Sequence, residues 1–153
     1  MQPLWRREFL LKIGGFDESF ARLQDVELHA RALLAGARVS CAADKPPDCL
    51  YRVTPGRHHV SPDAMARRYA ESVIHFYEVF MSRVSRRYLK ALSATLLSCV
   101  ASLAHSKRLG ELSIESADRL VNQVIDACAI PRHQSVLRAY VTISNLTPAR
   151  VPG

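Results

Sequence analysis

The chain has 153 residues, of which 48% are hydrophobic, 23% are charged and 7% are aromatic. This length and composition predict one domain with a real hydrophobic core and exclude an intrinsically disordered chain. Four cysteines are too few for a disulfide-built scaffold, so we expect free thiols in a reducing, cytoplasmic environment. The formal net charge of +7 is compatible with nucleic acid or an anionic membrane surface as a partner.

The N-terminus and the apolar runs predict neither secretion nor a membrane-spanning segment. The first residues lack the apolar run of a signal peptide. The longest uncharged stretch, residues 91–104, has the length of a buried core helix, whereas about 20 apolar residues are needed to span a bilayer. We therefore expect a cytoplasmic protein with at most peripheral membrane contact.

The first part of the chain, residues 1–60, has short apolar runs and predicts two short helices and two strands. The helices are expected at residues 6–13 and 25–34, and the strands at residues 38–42 and 49–53. Glycines follow both helices, and two prolines make the segment between the strands a loop.

The second part, residues 61–147, contains long periodic segments and predicts a helical bundle. A serine, a proline and an aspartate at residues 61–63 form a typical helix start, and apolar residues then recur every three or four positions. Further helices are expected at residues 87–105, 114–129 and 134–146. The first of these carries an inward apolar stripe of Leu89, Leu92, Leu96, Val100 and Leu103, and Pro131 is expected to stop the second. A flexible tail is expected at residues 148–153. The predicted fold class is therefore α+β and predominantly α-helical.

One stretch of the first part contains a residue pattern that is typical of a known protein family. The first helix is followed by Gly14-Gly15-Phe16-Asp17-Glu18, then by a loop, by Asp25 at a helix start and by Arg31 on that helix. Leu50-Tyr51-Arg52 and Val60-Ser61 come later. The pattern resembles the acceptor-side part of family 2 glycosyltransferases with the GT-A fold, over about residues 3–61. The resemblance implies a partial GT-A segment at residues 1–60 and the C-terminal portion of a non-processive, inverting glycosyltransferase.

By this resemblance, Asp25 is the catalytic base. An inverting transferase needs a carboxylate that accepts the proton of the acceptor hydroxyl as the hydroxyl oxygen attacks the anomeric carbon. Free backbone N–H groups and the dipole at a helix start favour an ionised, fixed carboxylate. The alternative is that Asp25 only caps the helix. Gln24 stands where the family has a glutamate, and Arg31 is expected to form an internal ion pair.

Three further residues are candidate substrate-binding groups. Gly15 would let the backbone turn tightly under the acceptor site, where a side chain would collide, or it only ends the helix. Asp17 would hold a sugar hydroxyl, or it caps the turn. Trp5 would stack on a sugar ring, or it belongs to the core.

The resemblance also implies a divalent metal ion, Mn²⁺ or Mg²⁺, and a nucleotide-sugar donor in the complete enzyme. His58 and His59 are candidate metal ligands, because some family members supply a histidine in this region. The family's Asp-x-Asp motif, which holds the metal, does not occur in this sequence. We therefore expect that the chain alone binds no metal and is inactive, or nearly so. An alternative hypothesis is a scaffold in which the helices cover a partner chain that supplies the missing sheet. The expected acceptor is a glycan or a lipid-linked sugar.

A second hypothesis is based on the basic residues of the helical part. They would bind nucleic acid or an anionic membrane surface, with nucleic acid the less expected partner. The alternative is an ordinary solvated helix face. The residues concerned are Arg67, Arg68, Arg83, Arg86, Arg87 and Lys90.

Overall fold

The computed structural model describes residues 4–40 and 60–146, and in these ranges it contains helices and no strand. The chain divides into two units, residues 1–59 and residues 60–153, which are described separately. The assignment of residues 1–60 to a transferase remnant and of residues 61–147 to a helical extension stays a prediction.

The predicted α+β class is wrong, because the described part of the chain is all-helical. Residues 38–40, where a strand was expected to begin, have no regular secondary structure and are exposed. Strand propensity alone forms no sheet unless a neighbouring strand accepts its hydrogen bonds, and no such strand exists within the described ranges. The second expected strand, at residues 49–53, lies outside the described residues.

The first unit contains two helices among its described residues, α1 (Arg7–Lys12) and α2 (Gln24–Leu34). The short α1 ends where the glycine pair follows with φ angles of +88° and +66°, which a right-handed helix cannot continue. One face of α2 is buried, and its apolar members are Leu28 and Ala32. Phe20, from the loop before α2, is also buried, so this unit has a small apolar core.

The second unit is a helical bundle within its described residues. Its helices are α3 (Pro62–Met81), α4 (Leu89–Arg108), α5 (Ile114–Asp126) and α6 (Pro131–Leu146), and a 3-10 turn at Arg86–Tyr88 precedes α4. The predicted start of α3 is confirmed, since Ser61 Oγ accepts a hydrogen bond from the Ala64 N–H at 3.3 Å.

The central helix of the bundle is α4, which packs against α3, α5 and α6. Its expected inward stripe is largely confirmed, since Leu92, Leu96, Val100 and Leu103 are buried. The remaining core comes mainly from α3 and α5, and its buried members include Val73, Phe76, Phe80, Ala117, Val121 and Val124. The core of the second unit is therefore built around α4.

Polar contacts join the outer helices to α4. Lys107 Nζ lies 2.6 Å from Asp118 Oδ1 and links α4 to α5. His133 Nδ1 lies 2.7 Å from Ser93 Oγ and links α6 to α4. Because such contacts add a few tenths to about 1 kcal/mol each, apolar packing dominates the stability of the bundle.

The segment Arg86–Arg108 is long and apolar enough to cross a membrane by length and composition alone. In this structure 39% of its most apolar window is buried inside the protein. The core helix of a water-soluble bundle passes the same test.

Candidate functional site

The predicted base, Asp25, lies in the first turn of α2, one residue after the helix begins at Gln24. The residue before the helix is Leu23, a non-glycine residue with a φ of +66°. Such a backbone costs about 1–3 kcal/mol and is found disproportionately at functional sites. Asp25 does not occupy the cap position, and its exposed carboxylate has no hydrogen-bond or ion-pair partner among the described residues.

Trp5 and α2 come together at His29, to which the sequence analysis assigned no role. His29 lies one turn after Asp25, and its Nδ1 donates a hydrogen bond to the Asp25 carbonyl oxygen. Since a carbonyl only accepts, the neutral ring carries its proton on Nδ1 and keeps Nε2 as an acceptor. The centre of the Trp5 ring lies 5.5 Å from that of His29 and 6.3 Å from that of Phe9. The spacing of Asp25 and His29 was the available sequence signal, because residues four apart are neighbours on a helix.

Arg31 links α2 to the turn at Gly14 and Gly15, which we call the glycine turn. Its Nε donates to Glu27 Oε1 at 2.6 Å and its Nη2 donates to Glu27 Oε2 at 2.8 Å, which confirms the expected internal ion pair. The same guanidinium donates to the carbonyl oxygens of Ile13 and Gly15, the latter at 2.6 Å. Hydrogen bonding to Glu27 raises the pKa of Arg31, and burial opposes this effect. Because Glu27 is only 1% exposed, the bidentate contact with Arg31 takes the place of its contacts with water.

Gly15 and Asp17 both have structural roles in this turn. A Cβ atom on Gly15 would meet no heavy atom within 4 Å, so there is space for a side chain at this position. Glycine is favoured here because the φ angle is +66°. Asp17 Oδ1 accepts a hydrogen bond from the Ser19 N–H at 2.9 Å, as the turn-capping alternative expects. Contacts of Trp5, Gly15 and Asp17 with a substrate stay predictions.

The candidate metal ligands His58 and His59 lie outside the described residues. Within residues 4–40 and 60–146, no group of three or more His, Cys, Asp or Glu side chains is arranged to hold a metal ion. We therefore assign no metal site to the described part of the chain, and the Mn²⁺ or Mg²⁺ ion stays a prediction.

Comparison with known proteins finds no family model, no curated protein and no solved structure that matches this chain. A GT-A domain is built on a β-sheet, whereas the described residues are all-helical. These two findings overturn the resemblance to family 2 glycosyltransferases. In physical terms, the glycine turn, the acid at the start of α2 and Arg31 form a small helical motif that needs no sheet. What remains as a candidate site is the surface formed by Trp5, Asp25 and His29.

Proposed function

We propose that the surface formed by Trp5, Asp25 and His29 binds the acceptor in a sugar-transfer reaction, with Asp25 as the general base. The proposal concerns the reaction alone and assumes neither a GT-A fold nor membership of a glycosyltransferase family. The observation that carries it is the left-handed backbone of Leu23, followed by a carboxylate that is exposed and unused by any described contact.

In the proposed reaction, the Asp25 carboxylate accepts the proton of the acceptor hydroxyl. The hydroxyl oxygen uses its electron pair to form a bond to the anomeric carbon of the donor sugar. The bond from that carbon to the diphosphate oxygen breaks, and the nucleoside diphosphate leaves with the electron pair. Trp5 offers an apolar ring to the C–H face of the acceptor sugar, and His29 Nε2 accepts a hydrogen bond from a second hydroxyl.

The proposal assigns only the acceptor side to this chain. A partner chain binds the nucleotide-sugar donor together with its Mn²⁺ or Mg²⁺ ion, and the acceptor is a glycan or a lipid-linked sugar. We also propose a cytoplasmic location, because Cys99 and Cys128 are buried free thiols and such thiols persist in a reducing compartment.

Trp5 is the only tryptophan of the chain, so its fluorescence tests the proposal directly. We expect a saturable change in Trp5 emission when the full chain is titrated to millimolar concentrations with methyl glycosides of glucose, galactose, mannose and N-acetylglucosamine. Asp25→Ala should weaken the binding about tenfold or more, because a hydrogen bond to a charged group contributes about 1.5–3 kcal/mol.

Glu18→Ala is the matched control, since Glu18 is an exposed acid of the same unit. It should leave the binding of the glycosides unchanged. The proposal is wrong if no glycoside changes Trp5 emission, or if Glu18→Ala weakens binding as much as Asp25→Ala does.

A further inference from the structure

A compact group of cations lies at one end of the second unit, where α3 turns into α4. The group consists of Arg83, Arg86, Arg87 and Lys90, and we call it the basic apex. All four residues are exposed, and they fall within residues 83–90. A cluster of this density produces a local positive potential that a ligand of opposite charge can use.

Among the described residues, no carboxylate forms an ion pair with the basic apex. The sequence contains no Asp or Glu from residue 79 to residue 110, and none of the four cations forms an ion pair with another described residue. Two guanidinium groups lie over aromatic rings instead: Arg83 Cζ is 5.9 Å from the centre of the Phe80 ring, and Arg87 Cζ is 4.6 Å from that of Tyr88. These cation–π contacts position the side chains while leaving their N–H donors available to a partner.

The six basic residues grouped in the sequence analysis form two separate groups on the bundle. Arg67 and Arg68 lie in the first half of α3, and Arg67 is 16 residues before Arg83. Since α3 ends at Met81, 14 residues after Arg67, the helix alone separates the two groups by about 21 Å at 1.5 Å per residue. These six residues therefore form no continuous row along which the phosphates of a nucleic acid strand could bind.

We propose that the basic apex is a docking surface for a membrane with anionic headgroups. Four cations at one end of a bundle can face a charged plane together, and each Lys or Arg near such a plane strengthens binding about fivefold. Tyr88 lies among them and is 47% exposed, and tyrosine rings are favoured at the depth of the headgroups. The inference rests on the second unit alone, so its outcome is independent of the sugar-transfer proposal.

Vesicle sedimentation with the full chain tests this inference. We expect binding to vesicles containing about one third phosphatidylserine at about 0.05 M salt, and loss of most of this binding at about 0.5 M salt. Arg86→Gln/Arg87→Gln should lower the partition coefficient roughly 30-fold, because two cations are removed. Tyr88→Ser should lower it further by a few-fold.

The matched control is Arg68→Gln/Arg108→Gln, which removes the same charge from exposed residues at the opposite end of the bundle. At that separation, screening should limit its effect to about threefold or less. Circular dichroism of each variant checks that the helices are intact.

Four results would overturn the inference. The first is no sedimentation with anionic vesicles at low salt, and the second is equal binding to vesicles of phosphatidylcholine alone. The third is an equal loss of binding in the Arg86→Gln/Arg87→Gln variant and its control. The fourth is tighter binding to a short labelled DNA or RNA than to anionic vesicles, with the same dependence on the apex, which would identify nucleic acid as the partner.

Discussion

Removal of the Arg31 side chain should destabilise the first unit and leave the second intact. Arg31→Ala leaves the Glu27 carboxylate, 1% exposed, without its bidentate partner, and breaking a buried pair from one side costs about 3–5 kcal/mol. It also removes a donor from the carbonyl oxygens of Ile13 and Gly15, at about 1 kcal/mol each. Because the Arg31 side chain is itself 20% exposed, water replaces part of these contacts. We therefore expect a total loss of about 3 kcal/mol.

Urea unfolding with two optical signals measures this loss. Trp5 emission follows the first unit, whereas circular dichroism follows mainly the helices of the second unit. At an m value of about 1 kcal/mol/M, a loss of about 3 kcal/mol lowers the urea midpoint of the Trp5 transition by about 3 M. If the unit is less stable than that, Trp5 will already be solvent-exposed without urea, while the circular dichroism transition stays in place.

Two further variants make this prediction refutable. Arg38→Ala removes an exposed arginine of the same unit and should change the stability by less than about 0.5 kcal/mol. Arg31→Lys keeps the charge but loses the planar guanidinium. We therefore expect it to lower the free energy of unfolding by about 1–2 kcal/mol, which lies between the effects of Arg38→Ala and Arg31→Ala. Equal Trp5 midpoints for Arg31→Ala and Arg38→Ala would show that Arg31 does not hold the glycine turn to α2.

Three further predictions concern the second unit. Tyr77→Phe should stabilise it by about 1 kcal/mol, because the variant lacks a buried hydroxyl that makes no hydrogen bond of ordinary geometry. Burial raises the pKa of Tyr77, so in the wild type the unfolded state ionises first and stability falls above pH 10. This fall should be smaller in Tyr77→Phe, as urea midpoints measured against pH will show. The second prediction uses a variant without the other two cysteines. In this variant Cys99 and Cys128 should react with Ellman's reagent only as the unit unfolds, because both thiols are buried and burial raises the pKa of Cys99 to about 12. Fast labelling of the native protein would contradict this. Third, Ser113→Ala should lower the free energy of unfolding by about 1 kcal/mol, because Ser113 Oγ accepts a hydrogen bond from a first-turn N–H of α5 at 3.2 Å. An unchanged midpoint of thermal unfolding would show that water replaces this cap.

The helices of the second unit are predictable from the sequence because local chemistry and long-range periodicity agree there. Ser61 and the following proline fix the start of α3, and the apolar stripe of α4 faces the core as expected. The errors are confined to helix ends. Pro131 was expected to stop the predicted helix at residues 114–129, and it instead begins α6, since the first residue of a helix needs no N–H donor.

The prediction of a sheet-based fold was wrong because a short pattern of residue types does not reveal which residues distant in the sequence contact each other. Arg31 binds carbonyl groups that lie 16 and 18 residues earlier in the chain. The spacing of Glu27 and Arg31 is visible in the sequence, but the burial of Glu27 is not. The same limitation applies to the candidate site, where the contact between Trp5 and His29 joins the segment before α1 to α2.

The central position of α4 determines how the second unit loses its structure. Peripheral helices can detach one at a time, and each detachment uncovers only one side of α4. By contrast, we expect the amides in the middle of α4 to become accessible to solvent only when most of the bundle opens. Deuterium uptake should therefore produce a graded order of exchange, with the ends of the outer helices fastest and the middle of α4 slowest. Because α4 contacts each of the other three helices, its packing determines how cooperatively the unit unfolds.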